Sequence, residues 1–228
     1  MDITIAVKEL AALAMSDSCP RCFWIKHNVK KIPFQIFPGI FSTIDSYSKR
    51  YTRKHYELTE KLPQVIEDFF PGAEPIKVPH YSKFTGKIGG LTVRGTPDEI
   101  LKNPNGEICI LDYKTSKITK NQDKLRPLYD AQLKLYGFLA TENELGKVEK
   151  LGLCYYEPVK EIPDLNEVIL EDGFKFIFRS KIFEIESFVD LSLLANKACR
   201  ILSNPIPRLN ITCTTCAELD NLLNTITK

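Results

Sequence analysis

The feature that most constrains this chain is a β-hairpin predicted around the turn sequence N-P-N-G at residues 103–106. Proline presets φ for the first corner of a type I turn, asparagine suits the second corner, and glycine takes the left-handed conformation that follows. Such a turn closes a three-residue loop and thereby fixes the register of the two strands that leave it. Counting outward from the closure places Asp98 opposite Asp112, with Lys114 on the same face of the hairpin.

Two opposed carboxylates repel each other and are normally unfavourable in a sheet, but a divalent cation between them removes that repulsion. Residues 108–111, I-C-I-L, are typical of a strand buried on both faces, and acids at the end of such a strand are costly to bury. Pro97 cannot donate a ladder hydrogen bond, so we expect strand pairing to bulge or end there. The residues alone leave open a simpler alternative, an exposed hairpin whose polar face is in water.

These residues resemble the core motif of the PD-(D/E)XK nuclease superfamily. Pro97-Asp98 is similar to the first half of that motif, and Asp112-x-Lys114, within D-Y-K-T, is similar to the second half. The resemblance implies an α/β fold with a restriction-endonuclease-like core, in which a mixed central β-sheet is flanked by helices. It also implies metal-dependent hydrolysis of phosphodiester bonds.

The resemblance further implies a role for each motif residue. Asp98, Asp112 and the backbone carbonyl of Tyr113 are expected to bind Mg²⁺ or Mn²⁺, since hard oxygen ligands suit these ions. Lys114 is expected to position the attacking water or to stabilise the charge that develops on the phosphate.

Two other positions resemble the RecB-type branch of the superfamily, which includes exonuclease domains of helicase–nucleases and CRISPR-associated nucleases. Gln132-x-x-x-Tyr136 is similar to the additional helix motif of that branch and implies a role in orienting the metal-site lysine or the nucleic acid. Ordinary helix packing is the alternative for this pair. RecB-type nucleases also carry a His or Glu metal ligand on an early helix, for which His55 is the candidate, although the family's preceding glycine is absent. The alternative for His55 is a histidine without a site role, either hydrogen-bonded within the protein or exposed to solvent.

The chain has seven cysteines, four of them in two C-x-x-C pairs, Cys19/Cys22 and Cys213/Cys216. An odd cysteine count with such spacings favours metal ligation in a reducing compartment over a disulfide framework, which predicts a cytoplasmic protein. If the two ends of the chain meet, four thiolates form one site for an iron–sulfur cluster or a structural Zn²⁺. Some RecB-type nucleases hold a 4Fe–4S cluster with one early and three late cysteines. This chain departs from that arrangement, and Cys199 is a substitute ligand candidate.

Composition sets the remaining bounds. At 228 residues, with 43% hydrophobic and 26% charged residues, the chain is expected to form a single nuclease domain over residues 1–228. A net charge of +2 does not by itself indicate a nucleic-acid-binding protein. The basic residues Lys117, Lys120, Lys124 and Arg126 follow the hairpin and are expected to contact phosphates, with a solvated linker as the alternative. The first residues lack a signal-peptide layout, and no apolar run approaches membrane-spanning length.

The predicted function is an Mg²⁺- or Mn²⁺-dependent exodeoxyribonuclease whose partners are DNA, in preference to RNA, and a helicase or other subunits of a nuclease complex. Two alternatives are a non-catalytic nucleic-acid-binding subunit with the same fold and a zinc-stabilised scaffold. Periodicity predicts helices over residues 7–15, 40–60, 127–144, 186–202 and 217–227. It predicts strands over residues 76–81, 148–156 and 173–185.

Overall fold

The computed structural model describes residues 3–29, 39–117, 124–159, 169–170, 173–174 and 177–226. The helices of this part of the chain are α1 (Val7–Ala11), α2 (Pro20–Asn28), α3 (Gly39–Thr59), α4 (Gln64–Phe69), α5 (Arg126–Glu142), α6 (Leu191–Leu202) and α7 (Thr214–Ile226). Its strands are β1 (Ile3–Ala6), β2 (Glu74–Pro75), β3 (Thr85–Ile88), β4 (Leu91–Arg94), β5 (Glu99–Lys102), β6 (Glu107–Lys114), β7 (Lys147–Pro158), β8 (Ile169–Leu170), β9 (Gly173–Phe174) and β10 (Phe178–Glu184). Among these helices, none combines the length and the apolar character needed to cross a bilayer.

Two mixed sheets flanked by helices confirm the predicted α/β class and are consistent with a restriction-endonuclease-like fold. The larger sheet has the order β10-β7-β6-β5-β2, and the smaller one has the order β1-β4-β3. In the larger sheet β6 and β7 are parallel and the other pairs are antiparallel. In the smaller sheet β1 runs parallel to β4, and β3 is antiparallel to it. Strands β8 and β9 form a separate antiparallel pair.

The hairpin of β5 and β6 forms in the predicted register. Ile100 pairs with Ile110, and the side-chain oxygen of Asn103 accepts hydrogen bonds from the backbone of residues 105 and 107, both at 3.0 Å. Gly106 takes φ of 80°, the left-handed conformation expected for it. Pairing starts at Glu99 rather than at Pro97, as the missing proline N–H predicts.

Strand β6 is buried on both faces, and its alternating side chains enter two separate apolar clusters. Ile108 and Ile110 pack in the cluster that includes α1 and α5, whereas Cys109, Leu111 and Tyr113 pack in the cluster that includes α4. Because side chains alternate along a strand, Asp112 lies on the α5 face and Tyr113 on the opposite face. The burial of Cys109 in this core agrees with its apolar strand context.

Three local predictions differ from the structure. No strand covers residues 76–81, because Pro79 interrupts pairing and the carbonyl of His80 accepts hydrogen bonds from residues 83 and 84 in a turn. Strand β1 was not predicted, since only its parallel pairing with β4 reveals it. Helix α6 begins at Leu191, where the Asp190 side chain caps it by accepting from the N–H of Leu193.

Gly152 in β7 is a position where the fold leaves no room for a side chain. A Cβ there would lie 2.8 Å from Leu111 Cδ2, 2.9 Å from Phe69 Cε1 and 3.1 Å from Ile182 Cγ2. We expect Gly152→Ala to lower the free energy of unfolding by about 1–3 kcal/mol through overpacking, measured by denaturant unfolding. Gly137→Ala in α5 is the matched control, because its Cβ meets atoms only at 3.6 Å or beyond and it should gain up to about 1 kcal/mol of helix propensity. Equal losses for the two variants would contradict this account of the packing.

Candidate active site and cysteine centre

A polar cavity of about 630 Å³ lies beside the end of β6 and brings most of the predicted site residues together. Its walls come from α1, α3, α5 and the hairpin. The lining residues are Lys8, Ser42, Asp45, Lys49, Asp98, Asp112, Tyr113, Lys114, Thr115, Gln132 and Tyr136. We call this cavity the acidic pocket.

Asp112 is the most buried acid of the acidic pocket, with 3% of its surface exposed. Its Oδ1 accepts a hydrogen bond of 2.9 Å from Gln132 Nε2, and its Oδ2 forms an ion pair with Lys114 Nζ. Burial raises the pKa of Asp112 to about 6; Lys114 opposes this rise and Asp98 adds to it. The ammonium of Lys114 also lies 4.5 Å from the centre of the Tyr129 ring. Gln132 therefore contacts a carboxylate of the motif rather than its lysine.

Asp98 is held from two sides. Its Oδ2 accepts a hydrogen bond of 2.8 Å from the N–H of Tyr113, and its Oδ1 lies 3.0 Å from Lys49 Nζ. The same ammonium is 2.7 Å from Asp45 Oδ2, one turn earlier in α3. Burial alone lowers the pKa of Lys49, but Asp98 and Asp45 outweigh it and the net shift is upward. Lys49 thus stays charged at the mouth of the acidic pocket.

The residue that follows Asp98 is bound to the same helix. Glu99 has no exposed surface, and its Oε1 lies 2.5 Å from Arg53 Nη2. The same nitrogen of Arg53 also donates a hydrogen bond of 2.9 Å to the carbonyl of Ile76. Lys49 and Arg53 are four residues apart and lie one above the other on α3. Together they anchor this helix across the beginning of β5.

The donor set fits a hard divalent cation. Asp98 and Asp112 provide two carboxylates, and Asp112 Oδ2 is buried and paired with the ammonium of Lys114. Gln132 Oε1 is buried beside them and has no hydrogen-bond donor among the described residues. Carboxylate and amide oxygens that converge in one polar cavity are the ligands that Mg²⁺ and Mn²⁺ prefer.

Tyr113 faces the acidic pocket through its backbone. Its ring lies on the other face of the sheet and packs edge-on against Tyr156. There its hydroxyl donates a hydrogen bond of 2.9 Å to Thr52 Oγ1. This is compatible with the predicted role of its carbonyl, which stays a prediction. Tyr136 lines the pocket in close packing with Gly95, whose added Cβ would lie 2.9 Å from the Tyr136 ring.

The structure does not bring His55 to the acidic pocket. His55 lies six residues beyond Lys49 on α3, and its Nδ1 is 2.8 Å from the carbonyl oxygen of Lys61. It also contacts the ring of Tyr51. The helical rotation and rise between residues 49 and 55 carry its side chain away from Asp98.

The basic segment after the hairpin is only partly available for contact with phosphates. Arg126 donates a hydrogen bond of 2.6 Å to Asp130 and one of 2.8 Å to the carbonyl of Glu184. It therefore connects the start of α5 to the end of β10. Lys124 is exposed, whereas Lys120 lies outside the described residues. We therefore assign Arg126 a structural role.

The two C-x-x-C pairs meet, which fulfils the condition for a site of four thiolates. The Sγ atoms of Cys19, Cys22, Cys213 and Cys216 all lie within 4.8 Å of one another, and all four thiols are free of disulfides. Each pair occupies the beginning of a helix, α2 or α7, and the dipole of a helix favours thiolates at that end.

The pKa values of Cys19 and Cys22 shift in opposite directions. Burial raises the pKa of Cys19, but hydrogen bonds from its own C-x-x-C segment and from the facing thiols outweigh burial and lower it to about 7. The pKa of Cys22 rises because of burial and because of the neighbouring thiols. Cys199 is not part of this group, since its thiol donates to the carbonyl of Gly89 at 3.1 Å. Four clustered thiols with one easily lost proton can hold a zinc ion or an iron–sulfur cluster.

Comparison with known proteins decides the family. The model of the PD-(D/E)XK nuclease superfamily matches residues 31–217. The chain belongs to this superfamily. Proteins of this superfamily generally hydrolyse nucleic acids and use divalent metals.

Other comparisons add little to this assignment. The chain is similar to the crystal structure of SSO0001, with 19% identity, a TM-score of 0.41, and coverage of 95% of this chain and 84% of that one. A comparison with curated proteins finds no match. The family membership therefore rests on the family model.

Sequence reasoning did not identify Lys49 or Asp45 as residues of the acidic pocket. Their spacing of four residues allows an ion pair on a helix, but no local signal placed that helix beside the hairpin. The salt bridge from Arg53 to Glu99 was missed for the same reason.

Arg53 should matter most when Glu99 is ionised. Burial raises the pKa of Glu99 to about 7, so the carboxyl is neutral at pH 5 and charged at pH 8. Arg53→Ala should lower the free energy of unfolding by about 1–3 kcal/mol at pH 8, where it leaves a buried charge unpaired, and by less at pH 5. Denaturant unfolding at both pH values measures this, and adding Glu99→Gln should restore stability at pH 8. An equal loss at both pH values would contradict the role of the ion pair.

Proposed function

We propose that this chain is an Mg²⁺- or Mn²⁺-dependent exodeoxyribonuclease of the RecB-type branch. It hydrolyses phosphodiester bonds of single-stranded DNA or duplex ends in DNA repair, recombination or defence. The observation that supports this most directly is the convergence of Asp98, Asp112 and Lys114 in one pocket, with Gln132 bound to Asp112. DNA is favoured over RNA by the resemblance to helicase–nucleases and CRISPR-associated nucleases.

Each motif residue has a separate proposed role in hydrolysis. Asp98 and Asp112 would hold the cation, with the carbonyl of Tyr113 as a third oxygen. When bound, the cation lowers the pKa of a water molecule and offsets charge on the scissile phosphate. Lys114, which is already at the carboxylates, orients the water or stabilises the charge of the transition state. Gln132 fixes the orientation of the Asp112 carboxylate by donating to Oδ1.

The complete Asp/Asp/Lys set also bears on the alternatives. A non-catalytic binding subunit has no need for a carboxylate buried at the end of a core strand, where its desolvation is unfavourable. A zinc-stabilised scaffold would account for the four cysteines but not for the acidic pocket. A catalytic role accounts for the acidic pocket and for the unfavourable burial of the Asp112 carboxylate in it.

For the cysteine centre we propose a 4Fe–4S cluster, with structural Zn²⁺ as the alternative. Four thiols within 4.8 Å of one another suit either group. The centre joins α2 near one end of the chain to α7 near the other, and we propose that residues 1–228 act as one domain. Free thiols favour a reducing compartment, the cytoplasm. A helicase or another nuclease subunit is the proposed protein partner.

Asp112→Ala should reduce the cleavage rate of labelled single-stranded DNA at least about 100-fold in Mg²⁺ or Mn²⁺, because it removes a buried ligand of the cation. The fold should persist, since the substitution removes a desolvated charge; circular dichroism checks this. Asp68→Ala, which changes an exposed acid on α4, is the control and should cleave like the wild type. Cleavage by Asp112→Ala at the wild-type rate would exclude the proposed site.

Each single Cys→Ala variant of the centre should contain less bound metal and have a lower melting temperature than the wild type, because closure of the centre is coupled to folding. The positions to change are Cys19, Cys22, Cys213 and Cys216. Cys199→Ser is the matched control and should keep both. Metal analysis after anaerobic purification distinguishes the two groups: iron with sulfide supports the cluster, and one zinc supports the structural alternative. Protein with neither metal would show that these four residues are ordinary thiols.

A further inference from the structure

A second cavity lies on the side of α3 that faces away from the acidic pocket. It measures about 230 Å³, far more than the roughly 30 Å³ that one water molecule occupies, so it can hold an organic ring. Aromatic rings dominate its walls: Tyr47 and Tyr51 from α3, Tyr156 from β7 and Phe178 from β10. We call it the aromatic cavity.

The walls of the aromatic cavity leave two rings accessible to a ligand. Tyr47 is 61% exposed and Tyr51 is 42% exposed. Tyr156 is only 8% exposed, so its ring forms a buried wall of the cavity. A cavity lined by exposed ring faces suits a flat aromatic ligand.

Positive charge connects the aromatic cavity to the acidic pocket. Arg50 and Lys54 lie with Tyr47 and Tyr51 along one surface cleft of α3, which Lys49 also lines. Among the described residues, Arg50 bonds only to the carbonyl of its own helix at Ser46, and no carboxylate pairs with it. The exposed pair of Lys54 with Glu57 is weak and easily exchanged for a phosphate.

We propose that the aromatic cavity binds one unpaired nucleobase of the strand whose phosphodiester lies in the acidic pocket. This rests on the proposed function. The base stacks on Tyr47 or Tyr51, while Arg50 and Lys54 contact the phosphates between the two sites. Stacking rings combined with a positive groove is the general means by which proteins bind single strands. A helix with its side chains is about 10–12 Å across, so one strand can reach both cavities over α3.

Position on the helix explains why one strand can serve both sites. Ser42, Asp45 and Lys49 face the acidic pocket, and Ile44, Tyr47, Ser48 and Tyr51 face the aromatic cavity. A base that is paired within a duplex cannot leave the stack to enter the cavity without unpairing. The subsite therefore selects unpaired over paired strands.

The test is the binding of a fluorescent oligodeoxythymidylate in EDTA, where a metal-dependent nuclease does not cleave, followed by anisotropy. The double variant Tyr47→Ala/Tyr51→Ala should bind about 5- to 150-fold more weakly for each base stack lost. Tyr47→Phe/Tyr51→Phe keeps the rings and should bind like the wild type. Tyr81→Ala removes an exposed tyrosine outside both cavities and should also leave affinity unchanged.

Removing one base from the oligonucleotide separates stacking from a general loss of structure. With wild-type protein, an abasic residue should weaken binding strongly at one position along the strand and weakly at the others. With the double alanine variant, the abasic residue should cause no further loss at that position, because both changes remove the same contact. Additive losses, or equal affinity of the wild type and the double variant, would overturn the subsite.

The outcome for the subsite is separable from the outcome for catalysis. If no cleavage occurs in Mg²⁺ or Mn²⁺ but the position-dependent abasic effect is present, the proposed function fails and the base-binding site stands. If cleavage occurs and depends on Asp112 while the tyrosine and abasic effects are additive, the function stands and the subsite is refuted.

Discussion

The burial of β6 on both faces is the constraint on which the other parts of the site depend. Apolar side chains fill the two clusters on either side of the strand, so its last residues enter the core together with it. Asp112 consequently loses most of its hydration, and burial raises its pKa to about 6. The hydrogen bond from Gln132 and the ion pair with Lys114 offset part of that cost.

Helix α3 connects the sites of this protein. Through Lys49 and Arg53 it binds two consecutive acids of the hairpin, one on each face of the sheet. Thr52 of the same helix accepts a hydrogen bond from the hydroxyl of Tyr113 on the other face of the sheet. Its outer face then carries the tyrosines and the cations that we assign to the nucleic acid. A single amphipathic helix thus positions an acid of the proposed metal site and presents the surface along which a strand would run.

The cysteine centre has a different physical basis. Its four thiols come from two short segments about 190 residues apart in the chain, so bringing them together closes most of the chain into one loop. Trp24 and Arg21 reinforce the contact by donating to the carbonyls of Asn204 and Pro207. A bound metal or cluster would therefore stabilise the packing of α2 against α7.

Local chemistry in the sequence determined the hairpin, its register, the placement of Asp98 and Asp112 at the same pocket, and the presence of the long helices. These features follow from turn residues, alternation and helical periodicity, which act over a few residues. The two C-x-x-C pairs were likewise visible, although their meeting depended on the fold. Only the tertiary structure decided that Lys49 joins the acidic pocket, that Arg126 binds the carbonyl of Glu184, and that His55 lies elsewhere. Each of these depends on which distant elements pack against each other, and the free energy of that packing is spread over many apolar contacts that no short motif records.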